Sequence, residues 1–345
     1  MPSLLHLRLP LAIGSVLLPN RVMLAPMSGI TDAPFRRLAA SLGAGLVISE
    51  MTASQALVED RTQARLRAEA QGVGAHVVQL AGCEPHWIAE AARIAEASGA
   101  TVVDINMGCP ARYVTGGQSG AALMRDLGNA LRLIEATVAA VSIPVTVKMR
   151  LGWDAQAINA PELARGAERA GVRLVTVHGR TRCQFYNGRA DWTAVAAIKA
   201  AVRIPVVVNG DIDSCSSAEQ ALADSAADAV MIGRAARGRP WLPGQIARYL
   251  ACGAREAAPA LETQFTLIDQ LYDELLCHHG VATGIRVARK HLGWALDAAA
   301  ATAGGTRTPS ALARQRVLTG HDPRVVRQHL REAFAGLAQN ARLAA

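Results

Sequence analysis

Short runs of β-branched and other apolar residues alternate with longer amphipathic stretches from residue 21 onward, and eight such runs precede residue 235. They begin at Arg21 (RVMLAP), Gly45 (GLVISE), His76 (HVVQL), Thr101 (TVVDIN), Pro144 (PVTVKMR), Arg173 (RLVTVHG), Pro205 (PVVVNGD) and Asp228 (DAVMIGR). The stretches between them, such as residues 84–100 and 191–202, carry the spacing of helices with one buried face. Eight β/α units in about 230 residues is the size of a TIM (β/α)8 barrel. A doubly wound sheet gives the same alternation, so the barrel rests on the count of eight and on where the unusual residues fall. Gln79, Asn106, Lys148, His178, Asn209 and Gly233 each stand at or just past the C-terminal end of an expected strand. Barrels carry their chemistry on that face.

Beyond the barrel the pattern changes. Residues 251–260 are punctuated by Gly and Pro and read as a linker. Helical periodicity without strands then continues to the end, interrupted at 302–320. The expected organisation is an α/β TIM barrel over residues 1–250, the linker 251–260, and a small C-terminal helical bundle over 261–345. The apolar first twenty residues lack a basic start and are broken by Pro10, so they read as folded structure and not as a signal peptide.

Composition narrows the setting. No apolar run is long enough to span a bilayer, although 51% of the 345 residues are hydrophobic. The six cysteines have no CxxC or paired spacing, which argues against a disulfide framework and against a zinc or iron-sulfur site. The expectation is a cytoplasmic protein with no structural metal and no membrane partner. A net charge of +8 suits a polyanionic partner without identifying one.

The seventh and eighth runs end in Asn209-Gly210-Asp211 and Gly233-Arg234-Ala235-Ala236. Glycines allow close approach to the main chain, and a following helix N-terminus offers N–H groups, so the pair suits a phosphate. Lys148 and Arg150 alternate with Val147 and Met149 and share one strand face. An ammonium aimed into a barrel mouth suits the negative charge of a reduced flavin. His178 opens the run HGRTR beside Arg180 and Arg182, a cluster suited to an anion, either substrate or cofactor phosphate. No GxxxxGK[ST] loop and no strand-following GxGxxG occurs, so a nicotinamide would be a visiting reductant. The phosphate motifs are sited for FMN, which barrels hold without a Rossmann unit. Cys109 lies in an expected mobile turn between Gly108 and Pro110. An ordinary thiol titrates near about 8.5 and is mostly protonated at neutral pH, so here it can serve as an acid.

These segments resemble one family. Residues 25–36 (APMSGITDAPFR), the QLAG at Gln79, DINMGCPARYV, VKMRLGW, VHGRTRCQFYNG, VVNGDI and MIGRAARGRPW are similar, in order and spacing, to the bacterial tRNA-dihydrouridine synthases. RVARKHLGWAL at 286–296 resembles the family's helical tRNA-binding domain, most closely its B-type branch. Dihydroorotate and dihydropyrimidine dehydrogenases share the barrel and the flavin but not this ending. The resemblance implies that Pro26, Met27, Ser28, Gln79, Lys148, Asn209, Gly210, Asp211, Gly233 and Arg234 hold FMN with His178 beside it. It implies Cys109 as proton donor, NADPH (or NADH) as transient reductant, and a tRNA uridine as the group reduced. Asn106, Arg150, Arg180, Arg286, Arg289 and Lys290 are the expected tRNA contacts, and Arg307, Arg314, Arg316, Arg324, Arg327 and Arg331 extend the basic tail. Two departures bear on tRNA binding: the loop 115–120 lacks the family's frequent lysine, and the segment 302–320 is enlarged. The rival readings are a flavin-dependent reductase of a free pyrimidine and a non-catalytic RNA-binding or regulatory barrel.

Overall fold

The structure, a computed structural model, describes residues 9–69, 72–304 and 310–344. Arg307 lies outside them. The chain divides into two compact units: Met1–Ala235 with Leu242–Ala254, and Ala236–Trp241 with Arg255–Ala345.

The first unit opens with an antiparallel hairpin of β1 (Leu11–Ile13) and β2 (Val16–Leu18). Gly14, at φ 58°, makes its turn. A parallel sheet follows: β3 (Val22–Leu24), β4 (Leu46–Val47), β5 (Thr52–Ala53), β6 (Val77–Ala81), β7 (Val102–Met107), β8 (Val145–Arg150), β9 (Leu174–His178), β10 (Val206–Asn209) and β11 (Ala229–Ile232). Their order is β4-β3-β11-β10-β9-β8-β7-β6-β5. A parallel bridge between Ile48 and Val77 joins the end of β4 to β6 and closes the ring. Residues 46–53 are therefore one stave in two pieces, and the barrel has eight.

The break in that stave has a local cause. Ser49 Oγ accepts the Gln79 N–H at 2.9 Å, and the Glu50 carboxylate turns away to accept the Gly29 N–H. The first takes up a strand N–H of β6, and the second ties residue 50 to the turn after β3.

The barrel interior is split by polarity. At its base Met23, Leu46, Val77, Val102, Leu174, Val207 and Met231 pack with Leu11, Ile13 and Leu18 of the hairpin, which plugs that end. Burying those three hairpin side chains at roughly 2 kcal/mol each stabilises a hairpin that would be marginal alone. At the other end the inward positions are Gln79, Asp104, Asn106, Thr146, Thr176, His178 and Asn209, all buried and all polar. Outside, helices bury one stripe each: in Pro85–Ala97 the residues Ile88, Ala91, Ala92 and Ala95 recur three and four apart on the covered face.

The second unit holds, among the described residues, the helices Leu261–His279, Val281–Thr302, Ala311–Thr319 and Pro323–Ala344. Ile285 and Leu292 lie on the buried stripe of Val281–Thr302. The short segment Ala236–Trp241 belongs with these helices. There Gly238, at φ 68°, lies so close to the Trp294 carbonyl that an added Cβ would sit 2.1 Å from its oxygen, and Arg237 stacks over the Trp294 indole. Residues 253–260 hold no helix or strand. Among the described residues no helix is long and apolar enough to cross a membrane, and no cluster of His, Cys, Asp and Glu is placed to hold a metal.

Candidate active site

Strand register sets out the polar layer. Gln79 pairs with Asp104 across β6 and β7, Asp104 with Thr146 across β7 and β8, and Asn106 with Lys148 one layer higher. Side chains at i and i+2 share a face, so Asp104 and Asn106 both enter the barrel. The Asp104 carboxylate accepts from Gln79 Nε2 at 2.7 Å and from Thr146 Oγ1 at 2.6 Å. Gln79 Oε1 in turn accepts from Asn106 Nδ2 at 2.8 Å. Burial pushes the Asp104 carboxyl above its ordinary value, opposed by those two hydrogen bonds and the nearby Lys148 ammonium.

The chain of bonds ends at Cys109. Asn106 Oδ1 accepts the Gly108 N–H at 3.2 Å and the Cys109 N–H at 3.0 Å. Arg150 Nε donates to the Gly108 carbonyl at 2.9 Å, and the Ala121 N–H donates to the Cys109 carbonyl at 3.0 Å. The turn expected to be mobile is thus tied at four backbone atoms. The Cys109 side chain is half-buried, and all six cysteines are free thiols.

Lys148 Nζ donates to Asn209 Oδ1 at 3.2 Å, and Asn209 Nδ2 donates to the Met231 carbonyl, which fixes the amide. Burial, aided by the neighbouring Arg150 charge, brings the Lys148 ammonium down to about 8. His178 is held well below its usual range by burial and by the charges of Arg150, Lys148, Arg180 and Arg234. It is therefore neutral at pH 7. An added Cβ at Gly210, at φ 115°, would meet the His178 ring at 2.8 Å, so the turn after β10 needs glycine. At Gly233 the opposite holds: an added Cβ would meet only Ala25, at 3.9 Å. That glycine leaves open space in front of the main chain, as a bound ligand requires. Pro26, Met27 and Ser28 form the turn after β3, where the Met27 N–H is taken by Thr31 Oγ1 at 2.8 Å.

Asp211 is the anchor of a second cluster. Its carboxylate accepts from Arg180 at 2.5 and 3.1 Å, from Arg234 at 3.2 Å and from the Ala190 N–H at 2.8 Å. Burial raises its pKa, but the Arg180 hydrogen bonds, the Ala190 N–H and the charges of Arg180 and Arg234 together outweigh this and hold it below the ordinary value. Arg234 lies over the ring of Tyr186 at 4.7 Å. Arg180 and Arg150, both expected among the tRNA contacts, are buried. Arg180 also donates to the carbonyls of Asn187 and Gly188, and Arg150 Nη1 to those of Thr181 and Phe185.

The donor set fits FMN by its chemistry: a cationic lysine and arginine, two fixed amides, a neutral imidazole and an open glycine backbone meet at one barrel mouth. The sequence model of the family described as dihydrouridine synthase (Dus) matches residues 23–329. This chain belongs to the dihydrouridine synthase family. A probable tRNA-dihydrouridine synthase of Rhizobium leguminosarum bv. phaseoli is 52% identical over 326 residues, which cover 94% of this chain and 99% of that protein. The tRNA-dihydrouridine synthase B of Xanthomonas campestris pv. campestris is 48% identical over 284 residues, 82% of this chain and 85% of that one. Among solved structures, histamine dehydrogenase from Rhizobium sp. 4-9 aligns with a TM-score of 0.56 at 15% identity, over 95% of this chain and 64% of that longer one. A variant of NCR from Zymomonas mobilis aligns at 0.52 and 20% identity, over 76% and 96%. Those two likenesses concern the fold, and both accord with the barrel.

In this chain the tail arginines fall into two groups. Arg314 pairs with Asp297 at 2.5 Å, and Arg327 with Asp269 at 2.6 Å and also with Asp273, so both brace the helices of their own unit. Arg286, Arg316, Arg324 and Arg331 are exposed, Arg331 over the Phe265 ring; Arg289 and Lys290 are half-buried. Sequence reading passed over Asp104, Thr146, Glu50 and Tyr186. The alternation that paired Lys148 with Arg150 would have paired Asp104 with Asn106; Glu50 and Tyr186 carried no comparable signal.

Proposed function

We propose that this chain is a tRNA-dihydrouridine synthase that reduces the C5=C6 bond of a uridine in the tRNA D loop to 5,6-dihydrouridine, with FMN bound and NADPH (or NADH) consumed. What supports the reading, beside family membership, is a half-buried thiol tied over a barrel mouth that carries Lys148, Asn209, Gln79 and His178. Lys148, Arg234, Gln79, Asn209 and the glycine backbone at 210 and 233 would hold the cofactor, together with Pro26, Met27 and Ser28. When bound, FMN supplies the hydride that C6 receives. The Cys109 thiol gives its proton to C5, so the uracil gains two hydrogens and the nicotinamide loses a hydride. The Lys148 ammonium favours the reduced, anionic cofactor. His178, being neutral, adds no charge beside it. Arg180 acts through Asp211, and Arg150 through the Gly108 carbonyl, rather than on the tRNA. A base in a folded tRNA must leave its stack to be reduced, so the polyanion is gripped elsewhere, by the exposed basic side chains of the helical unit.

The test is reoxidation of the FMN-loaded protein after reduction by NADPH. Transcribed tRNA without dihydrouridine is expected to reoxidise it far faster than free uridine does. Equal rates with free uridine would favour the pyrimidine reductase, and failure to take up FMN would favour the non-catalytic barrel.

A further inference from the structure

The buried carboxylate of Asp104 touches neither the thiol nor any group assigned above to tRNA. We infer that Asp104 is a positioning residue for Cys109, setting the direction of the hydrogen-bond chain that runs through Gln79 and Asn106 to the backbone of the Cys109 turn. The inference rests on the reading of Cys109 as proton donor.

An amide side chain can be turned end for end with little change in shape, so Gln79 and Asn106 do not orient themselves. Asp104 has no N–H end to offer and accepts at both oxygens, which breaks that symmetry. With Asp104 accepting from Gln79 Nε2, Gln79 Oε1 must face Asn106, and Asn106 must present Nδ2 to it. Asn106 Oδ1 is then left for the Gly108 and Cys109 N–H groups. Reverse one amide and an oxygen meets an oxygen in a buried site, while two backbone donors lose their acceptor. Thr146, the other donor to Asp104, stands on the far side and has no part in the chain toward Cys109. Gln79 and Asn106 each keep one further N–H, so the two amides offer donors, and not acceptors, to whatever enters the barrel mouth.

Alkylation of Cys109 by iodoacetamide in the full-length protein, followed on the Cys109 peptide by mass spectrometry, reads the turn without turnover. Asp104→Ala is expected to raise that rate by about tenfold, as a turn that has lost its anchor opens more often. The other half-buried thiols, Cys83 and Cys215, serve as controls and should not change. The same variant should slow tRNA-driven reoxidation by on the order of tenfold to a hundredfold. Asp104→Asn, which can present either end of its amide to Gln79, should also raise alkylation, though less than Asp104→Ala, and Thr146→Val should leave alkylation at the wild-type rate. If Asp104→Ala does not fold, Asn106→Ala cuts the last link and must give the same rise. Unchanged alkylation in the folded Asp104→Ala variant, or Asp104→Asn alkylated at the wild-type rate, overturns the positioning role. Fast tRNA-driven reoxidation by Cys109→Ala would instead overturn the donor reading on which it rests.

Discussion

The barrel mouth and the helical unit both carry many polar and basic side chains, yet they hold them differently. At the mouth Asp104, Gln79, Asn106, Arg150 and Arg180 are buried, and each bonds to fixed partners on neighbouring strands or turns. In the helical unit the arginines lie at or near the surface, and two of them, Arg314 and Arg327, pair with aspartates that are themselves partly exposed. A buried hydrogen bond is expensive to leave unmade, whereas an exposed ion pair contributes about 0 to 1 kcal/mol. Chemistry that needs sub-ångström placement belongs in the first environment. Contact with a polyanion, which needs charge more than placement, can be spread over the second.

This contrast can be broken or sharpened by substitution, and the effects should fall in order. Cys109→Ala should leave flavin reduction by NADPH intact and slow reoxidation by tRNA roughly a hundredfold, as followed by stopped-flow absorbance. Gly238→Ala should lower the stability of the helical unit by about 2 kcal/mol or more in thermal unfolding, because a β-carbon has no room against Trp294 and φ is positive. Lys148→Met should weaken FMN binding by about tenfold and remove its pH dependence. In the wild-type protein the Lys148 ammonium is present below its pKa of about 8 and lost above it. An anionic ligand favours the protonated form, so FMN affinity should be constant below that value and decline as pH rises through it, which a fluorescence titration would detect. Arg324→Ala should weaken tRNA binding only a few-fold and reduce its salt dependence, with stability unchanged. Arg327→Ala should do the reverse, lowering stability by up to about 1 kcal/mol with little change in the salt slope.

Strand positions were legible because each stave is a short β-branched run, and all eight runs lie in the barrel wall. The split between β4 and β5 was not, since it depends on Gln79 and Gly29, which are 30 and 21 residues away from their partners Ser49 and Glu50. The same distance effect governs the charges. Arg180 and Arg182 read as an anion site because the local run HGRTR holds no acid, but Asp211 reaches Arg180 from 31 residues further along. Arg182 stacks on Trp153 and Phe185. Arg314 and Arg327 looked like phosphate contacts for the same reason, their acids standing on other helices. A linear sequence shows which face a strand residue takes. It does not show which opposite charge the fold will bring to it.

The central claim is that this chain adds two hydrogens to a uridine in tRNA. Incubating the FMN-loaded protein and NADPH with transcribed tRNA, then digesting the tRNA to nucleosides for mass spectrometry, tests it directly. The account predicts that one D-loop uridine gains the mass of two hydrogen atoms, in step with NADPH oxidation. NADPH oxidation with every uridine in the tRNA unchanged would contradict it.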